Sequence, residues 1–470
     1  MTHPNASMAL ARALIDELAA QGVASVYMSP GSRSGALAIA AAEHPEIELC
    51  VVLDERSAAF HALGDARARE GPAAVLCTSG TAAANLFPAI VEADMACMPL
   101  VAVTADRPAE LRGVGANQTI DQVRLYGAKV RAFEELAAPE PLADANRTWR
   151  RAVARVMSSS RRPRPGPVHL NVAFWEPTVP VTDDGRTAGE VYPYDTPRLV
   201  PAPEADVGTR PRASLDTATE RGLVIAGDGD YDRAGLLSVA SGLGWPVLAT
   251  ALSGMRGGPV ISSYGRLIAG GVPDDLVPAT VVAVGAIGPD TRLEDLIASA
   301  GSRVRVDRWG RSIDPLHNAT VVVTGDPVDL LSSLSGHADP AWAERWAEAD
   351  RMARVESDEL LSGIAPMTGA HVVAALNRVD WGALVVASSL PVREVDAHLT
   401  RGGKVFANRG ASGIDGFVST SFGVASVISR TVALTGDLSL LHDSNGFIHE
   451  GAFDLTLVVV DNDGGGLFDS

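Results

Sequence analysis

Lysine is nearly absent. Lys129 and Lys404 are the only two in 470 residues, and every other basic side chain is arginine. Chemistry built on a desolvated, Schiff-base-forming lysine is therefore disfavoured, whereas fork-shaped recognition of carboxylate or phosphate has ample material. A genomic composition bias would give the same excess of arginine. Cysteine is also scarce. Cys50, Cys77 and Cys97 cannot build a disulfide framework, and they lie in apolar surroundings that suit buried free thiols. No C-x-x-C pair and no histidines at zinc spacing occur. No apolar run is long enough to span a bilayer, and Met1–Leu10 lacks the basic-then-apolar pattern of a signal peptide. Basic residues number 39 against 57 acidic ones, a formal charge of -18 without any long basic block. That balance excludes a general nucleic-acid binder and leaves a reducing, cytoplasmic protein that does not insert into membranes as the expectation.

Hydrophobic residues make up 46% of the chain and charged residues 20%, enough for sizeable cores in about three domains. Short runs of Val, Ile, Leu and Ala recur at 73–78, 100–104, 168–172, 223–226, 247–252, 281–284, 320–324, 384–387, 432–435 and 455–460. Segments with helical spacing separate many of them. Continuous apolar strands alternating with helices predict an α/β fold of doubly wound parallel sheets, with ligands beyond the carboxyl ends of the strands. The stretch 179–215 reads as a linker, crowded with Pro, Asp, Thr and Gly. Residues 339–362 read as an exposed, charged helix that bridges to the last unit, with Trp342, Trp346, Ala349 and Ala353 on one stripe. Three domains are expected, at 1–180, 205–335 and 360–470. Gly227-Asp228-Gly229-Asp230 is a lone G-x-G and reads as a strand-to-helix turn rather than a nucleotide site.

The strongest chemical signal lies near the end of the chain. Thr435-Gly436-Asp437-Leu438-Ser439 follows one apolar run, and Asp461-Asn462-Asp463-Gly464-Gly465-Gly466 follows the next. Asp437 and Asn462 stand 25 residues apart, the length of one helix and one strand. A carboxylate, an amide oxygen and the carbonyl of a glycine loop are hard ligands that suit Mg²⁺, and glycine lets backbone approach a phosphate. Either segment alone reads as a turn; the pair at this spacing reads as a metal–diphosphate site.

This pattern resembles the thiamine-diphosphate fold of decarboxylases and transketolases. That class needs a glutamate on a separate domain, and Glu55 in Asp54-Glu55-Arg56, after an apolar run, is the candidate. Further segments narrow the family: Ser29-Pro30-Gly31-Ser32-Arg33-Ser34, Thr78-Ser79-Gly80-Thr81-Ala82, Ala105-Asp106-Arg107-Pro108, Gly115-Ala116-Asn117-Gln118-Thr119 and Asn408-Arg409-Gly410-Ala411-Ser412-Gly413-Ile414-Asp415-Gly416. In this order they resemble the 2-succinyl-5-enolpyruvyl-6-hydroxy-3-cyclohexene-1-carboxylate synthase family of menaquinone biosynthesis. The resemblance spans almost the whole chain and is weakest through the middle.

The resemblance implies a transferase that decarboxylates 2-oxoglutarate and adds the succinyl-semialdehyde unit to isochorismate. Its cofactors are thiamine diphosphate and Mg²⁺, for which Mn²⁺ can substitute. Glu55 would hydrogen-bond the cofactor's aminopyrimidine and favour the imino tautomer that removes the thiazolium C2 proton. Both substrates are dianions, which matches arginines at 33, 107, 393 and 409, with Arg292 in a segment that aligns poorly. Ser32, Asn117, Gln118 and Ser389 would hydrogen-bond substrate, and Leu467 and Phe468 would line its side of the site. Ile414 would sit under the bent cofactor. Gly436, Asp437, Leu438, Ser439, Asn462 and Gly464 would hold the diphosphate, with Asp437, Asn462 and Gly464 on the metal. The class pairs these domains across a subunit interface, so a homo-oligomer, at least a dimer, is expected. Family chains continue past the equivalent of Ser470 with elements that help cover the cofactor, so this chain is expected to be part of a longer one or a truncation. The rivals are another thiamine-dependent decarboxylase or acetolactate-type synthase, which the arginine set and Ala116-Asn117-Gln118-Thr119 disfavour, and a non-catalytic α/β scaffold, which Glu55, Asp437 and Asn462 argue against. A serine hydrolase is not supported, because no Ser stands at the centre of G-x-S-x-G around Ser32.

Overall fold

The computed structural model describes residues 6–139, 145–179, 220–288, 290–364, 367–462 and 464. The chain divides into two compact units. One comprises Met1–Ala205, Asn408–Thr431 and Asp437–Thr456; the other comprises Asp206–Ala407, Val432–Gly436 and Leu457–Ser470.

The first unit holds a six-stranded sheet of β1 (Ser25–Met28), β2 (Glu48–Val51), β3 (Ala73–Cys77), β4 (Leu100–Asp106), β5 (Phe133–Leu136) and β6 (Val168–Ala173), in the order β2-β1-β3-β4-β6-β5. Every pairing in it is parallel. The apolar runs of β3, β4 and β6 are buried throughout because both faces are covered. Side chains alternate between two cores. Ala74, Leu76, Val101 and Val103 pack with α1 (Ala6–Ala20), α2 (Gly35–Glu43) and α6 (Ala145–Arg161). Ala73, Val75, Leu100 and Ala102 pack with α3 (Glu55–Arg69), α4 (Thr81–Asn85) and α5 (Phe87–Ala96). Strands joined through helices put the loops that follow the strands along one sheet edge.

The second unit carries a five-stranded parallel sheet of β7 (Gly222–Ala226), β8 (Val247–Ala249), β9 (Thr280–Val284), β10 (Ser302–Asp307) and β11 (Val321–Thr324), ordered β11-β10-β9-β7-β8. Around it lie α7 (Arg233–Gly242), α8 (Tyr264–Leu267), α9 (Thr291–Ser299) and α10 (Pro327–Ser332). The segment Gly227–Asp230 is the turn between β7 and α7, whose N-cap is Asp232. Residues 339–362 form a helix, α11 (Pro340–Gly363), but not merely an exposed bridge. Trp342 and Trp346 are fully buried in the core of this sheet, and Trp342 Nε1 donates to Gly222 O at 2.7 Å. The indole stripe needs apolar cover, and the sheet supplies it.

The third sheet contains β12 (Ala383–Val386), β13 (Lys404–Phe406), β14 (Thr431–Gly436) and β15 (Leu455–Val460) in the order β13-β12-β14-β15, with α12 (Gly369–Leu376) and α13 (Leu390–His398) in the same unit. The α/β class with parallel sheets is thus as expected. The helices α14 (Phe417–Ala425) and α15 (Asp437–His442) fall in the first unit. There α14 packs against α3 with glycine at both contact points. A Cβ on Gly64 would lie 2.2 Å from Thr420 O, and one on Gly423 would lie 2.0 Å from His61 O. Among the described residues no helix is long and apolar enough to cross a membrane.

Candidate active site

In the first unit, the loops after β1, β3 and β4 meet at the carboxyl edge of the sheet. Ser29 binds the edge twice, through N to Leu76 O at 3.0 Å and through Oγ to Val52 O at 2.8 Å. Gly31 lies against Thr78 so closely that a Cβ would come within 2.3 Å of its side chain. Gly80 has φ +83°, and a Cβ there would meet Gln118 Cγ at 2.9 Å. Glycine at these two positions is what lets the loops touch.

Arg107 is buried in this cluster, and its Nη1 donates to Ser79 Oγ and to Gln118 O, the latter at 2.5 Å. Arg33 donates to Phe174 O at 3.0 Å and to Glu176 at 3.2 Å. Burial first, and the positive charge of Arg33 second, lower the pKa of Arg107. A guanidinium whose charge is disfavoured by a second guanidinium suits an anion bound beside it. Gln118, with φ +53°, returns Nε2 to Ser79 O at 3.0 Å. Ser32 and Asn117 are exposed on the same loops.

A buried polar network supports this edge. Thr104 Oγ1 donates to Asn171 Oδ1 at 2.8 Å, and Asn171 Nδ2 donates to Asp106 Oδ2 at 2.9 Å. Asp106 accepts from Arg107 N at 2.7 Å and pairs with Arg112 at 2.9 Å, while burial raises its pKa. Gln122 joins Asn171 to the Gly80 amide. Each member has partners, so the loops are fixed rather than floating.

Glu55 is half-buried at the first turn of α3, after the N-cap Asp54, whose Oδ1 accepts from Arg56 N and Ser57 N. The other Asp54 oxygen accepts from Asn445 Nδ2 at 2.8 Å. Arg56 donates to His442 O at 3.1 Å. Asn85 donates Nδ2 to Glu55 Oε2 at 3.3 Å. Asn85 and Ser79 were not singled out from the sequence. Asn85 is one polar residue in a small-residue helix and Ser79 one of several hydroxyl residues in its motif, and only the fold shows what each touches.

Arg409 and Ile414 lie on the loop before α14, half-buried and 39% exposed respectively. Asp437 opens α15 with a half-buried carboxylate that makes no hydrogen bond or ion pair among the described residues. Leu438 is exposed and Ser439 buried. In the second unit, Gly436 ends β14, and Asn462 and Gly464 lie just past the end of β15, its neighbour in the sheet. Ser389, with φ +76°, is the N-cap of α13, and Arg393 is exposed on that helix. Arg292 is engaged by Asp290 at 2.8 and 2.9 Å and by Gly265 O at 2.7 Å. Leu467 and Phe468 lie outside the described residues. No group of three His, Cys, Asp or Glu that could hold a metal ion occurs among the described residues.

Parallel α/β sheets, a glutamate after β2 and, after β14, a carboxylate with no partner among the described residues are what is expected of a thiamine-diphosphate enzyme. A family profile described as thiamine pyrophosphate enzyme, N-terminal TPP binding domain, matches residues 8–125, which include Glu55. The curated relatives are more specific. A 2-succinyl-5-enolpyruvyl-6-hydroxy-3-cyclohexene-1-carboxylate synthase of Thermobifida fusca is 41% identical over 99% of this chain and 85% of its own length. Synthases of the same name from Halorubrum lacusprofundi and Listeria innocua are 39% and 35% identical, over 100% and 97% of this chain and 84% and 83% of their own lengths. The chain belongs to the 2-succinyl-5-enolpyruvyl-6-hydroxy-3-cyclohexene-1-carboxylate synthase family.

The residues present suit the class's cofactor. Glu55 keeps one carboxyl oxygen free of protein partners among the described residues, and Asp437 offers both of its oxygens.

Proposed function

We propose that this chain decarboxylates 2-oxoglutarate and joins the remaining four-carbon unit to isochorismate by 1,4-addition, with release of CO₂, in menaquinone biosynthesis. When bound, thiamine diphosphate supplies the carbon nucleophile and the sink for the electrons freed by decarboxylation. The chain's own residues bind, orient and move protons. Glu55 holds the proton on the pyrimidine ring nitrogen, and the Asn85 amide keeps its carboxyl in one orientation. Arg33, Arg107, Arg393, Arg409 and Arg292 supply positive charge for the substrate carboxylates in an otherwise acidic protein. Ser32, Asn117, Gln118 and Ser389 add hydrogen bonds. Ile414 supports the cofactor rings, and Leu467 and Phe468 line the substrate side.

Gly436, Asp437, Leu438, Ser439, Asn462 and Gly464 hold the diphosphate. Asp437, Asn462 and Gly464 bind Mg²⁺ through oxygen, the donor chemistry that ion takes. The sheets at 1–180, 205–335 and 360–470 serve as pyrimidine-binding, central and diphosphate-binding domains. A homodimer or larger homo-oligomer, in the cytoplasm, is the working form.

The observation that carries this reading is the pair of arginines on the loops after β1 and β4, with Arg107 fixed by Ser79 Oγ and Gln118 O and Arg33 by Phe174 O. The test is 2-oxoglutarate consumption with and without isochorismate, at saturating Mg²⁺ and thiamine diphosphate. Consumption that depends on isochorismate and yields one adduct and one CO₂ is expected. Equal consumption without isochorismate, or preference for pyruvate, contradicts the reading.

A further inference from the structure

The loop Asn408–Gly416 carries Arg409 and Ile414, and three of its nine residues are glycine. Such a backbone has too much freedom to fix a side chain by itself. It is held from outside at three points. Asn408 Nδ2 donates to Thr420 Oγ1 at 3.0 Å. Gly416, at φ +69°, lies so close to Phe60 that a Cβ would meet the ring at 2.0 Å. Between them the amides of Gly410 and Ala411 donate to one carboxylate, that of Glu92 on α5, at 2.7 and 2.6 Å.

Glu92 is 3% exposed. Its Oε1 accepts from Gly410 N and from Arg67 Nη2, the latter at 2.9 Å, and its Oε2 accepts from Ala411 N. A carboxylate this deep is tolerated only when paired and hydrogen-bonded. Two successive amides aimed at one anion form a concave binding unit, here filled by a side chain of the protein itself. Gly410 makes the approach possible, because a Cβ there would lie 2.6 Å from Glu92 O and 2.9 Å from Ala96 N. An ion pair with Arg67 alone would need neither amide nor this glycine.

We infer that Glu92 is a positioning residue: by clamping the two amides that follow Arg409, it sets where the Arg409 guanidinium stands for a substrate carboxylate. The inference rests on the reading of Arg409 as a substrate-binding arginine. Glu92 sits 317 residues before Arg409, and no role attaches to it from its own segment.

The test uses the enzyme loaded with Mg²⁺ and thiamine diphosphate, as wild type, Glu92→Gln, Arg409→Ala and the double variant. Glu92→Gln keeps the shape but turns an amino group toward one of the donors. The expected result is a rise of about tenfold in KM for one dianionic substrate, with kcat changed much less. Hydrogen–deuterium exchange of segment 408–416, measured without substrate, should become faster, a readout independent of turnover. In the Arg409→Ala background Glu92→Gln should cost nothing more, because both act on one interaction. Losses that add, or exchange of 408–416 that stays as in wild type, overturn the positioning role. If Arg409→Ala itself leaves kcat/KM intact, the substrate reading of Arg409 fails and this inference with it. A loss in Arg409→Ala with a silent Glu92→Gln overturns the inference alone. Should Glu92→Gln not fold, Glu92→Asp takes its place. It keeps the charge for Arg67 but is one methylene short of the amides, and the same outcomes decide.

Discussion

Asp437 is a half-buried carboxylate that makes no hydrogen bond or ion pair among the described residues, so both of its oxygens are open to a cation. Asp437→Ala should therefore leave the fold intact and weaken Mg²⁺-dependent binding of thiamine diphosphate by roughly a hundredfold, as loss of a charged metal ligand would. Calorimetric titration with cofactor and Mg²⁺ checks this, and unchanged affinity removes the metal from this loop. Asp443 differs from it in surroundings. It is fully buried, accepts from Ser419 N at 2.8 Å, and burial raises its pKa. That carboxylate is a structural fastening of α14.

Within the first unit, α3 and α14 form the most extensive contact between two helices. α3 begins with Glu55, α14 follows the Arg409 loop, and glycine faces backbone at Gly64 and Gly423. Gly64→Ala would force backbone apart and should cost about 1–3 kcal/mol, read as a lower midpoint in urea unfolding. An unchanged midpoint would mean the two helices do not pack this tightly. Most of the sheet framework was legible, because β3, β4, β6, β7, β9, β12 and β14 are continuous apolar runs that both faces bury, and β15 is an equally apolar run at a sheet edge. β5, β10 and β13 were not. Phe133-Glu134-Glu135-Leu136 and Lys404-Val405-Phe406 are short edge strands, and Ser302–Asp307 alternates Arg with Val, with Arg305 fully buried against Glu294. A pairing of that kind leaves no mark in local hydropathy. The motif loops of the site were legible from their glycines and arginines. Asn85, Ser79 and Glu92 were not, since their meaning lies in partners 30, 28 and more than 300 residues away.

Two histidines bear on the stability of the whole molecule. His61 and His169 are fully buried, and burial pushes both pKa values down to about 3. His61 Nδ1 lies 2.9 Å from Ser57 O, so that nitrogen carries the proton of the neutral ring. In the unfolded chain each takes up a proton near pH 6.5, while the folded chain does not until about pH 3. The unfolded state thus binds more protons throughout that window, and stability falls as pH falls below 6.5. Asp106, Asp396 and Asp443 act in the opposite sense, because burial raises their pKa values and they gain protons on folding at low pH. The histidine effect should therefore dominate first. Between pH 6.5 and 5.5 the two should remove about 2 kcal/mol, measured as a lower free energy of urea unfolding. A flat profile over that range would contradict neutral burial of both rings.

In the proposed mechanism the carboxyl of Glu55, at the start of α3 and remote in sequence from Asp437 and Asn462, activates the cofactor. Glu55→Gln keeps shape and packing but cannot hold the proton in the same way. The direct measurement is hydrogen–deuterium exchange at C2 of bound thiamine diphosphate, followed by NMR after acid quench, in wild type and in Glu55→Gln. The variant should fold and bind Mg²⁺ and thiamine diphosphate, yet exchange about 10²–10⁴-fold more slowly. Exchange at the wild-type rate would contradict the assignment of Glu55 and, with it, of the first sheet as the pyrimidine-binding domain.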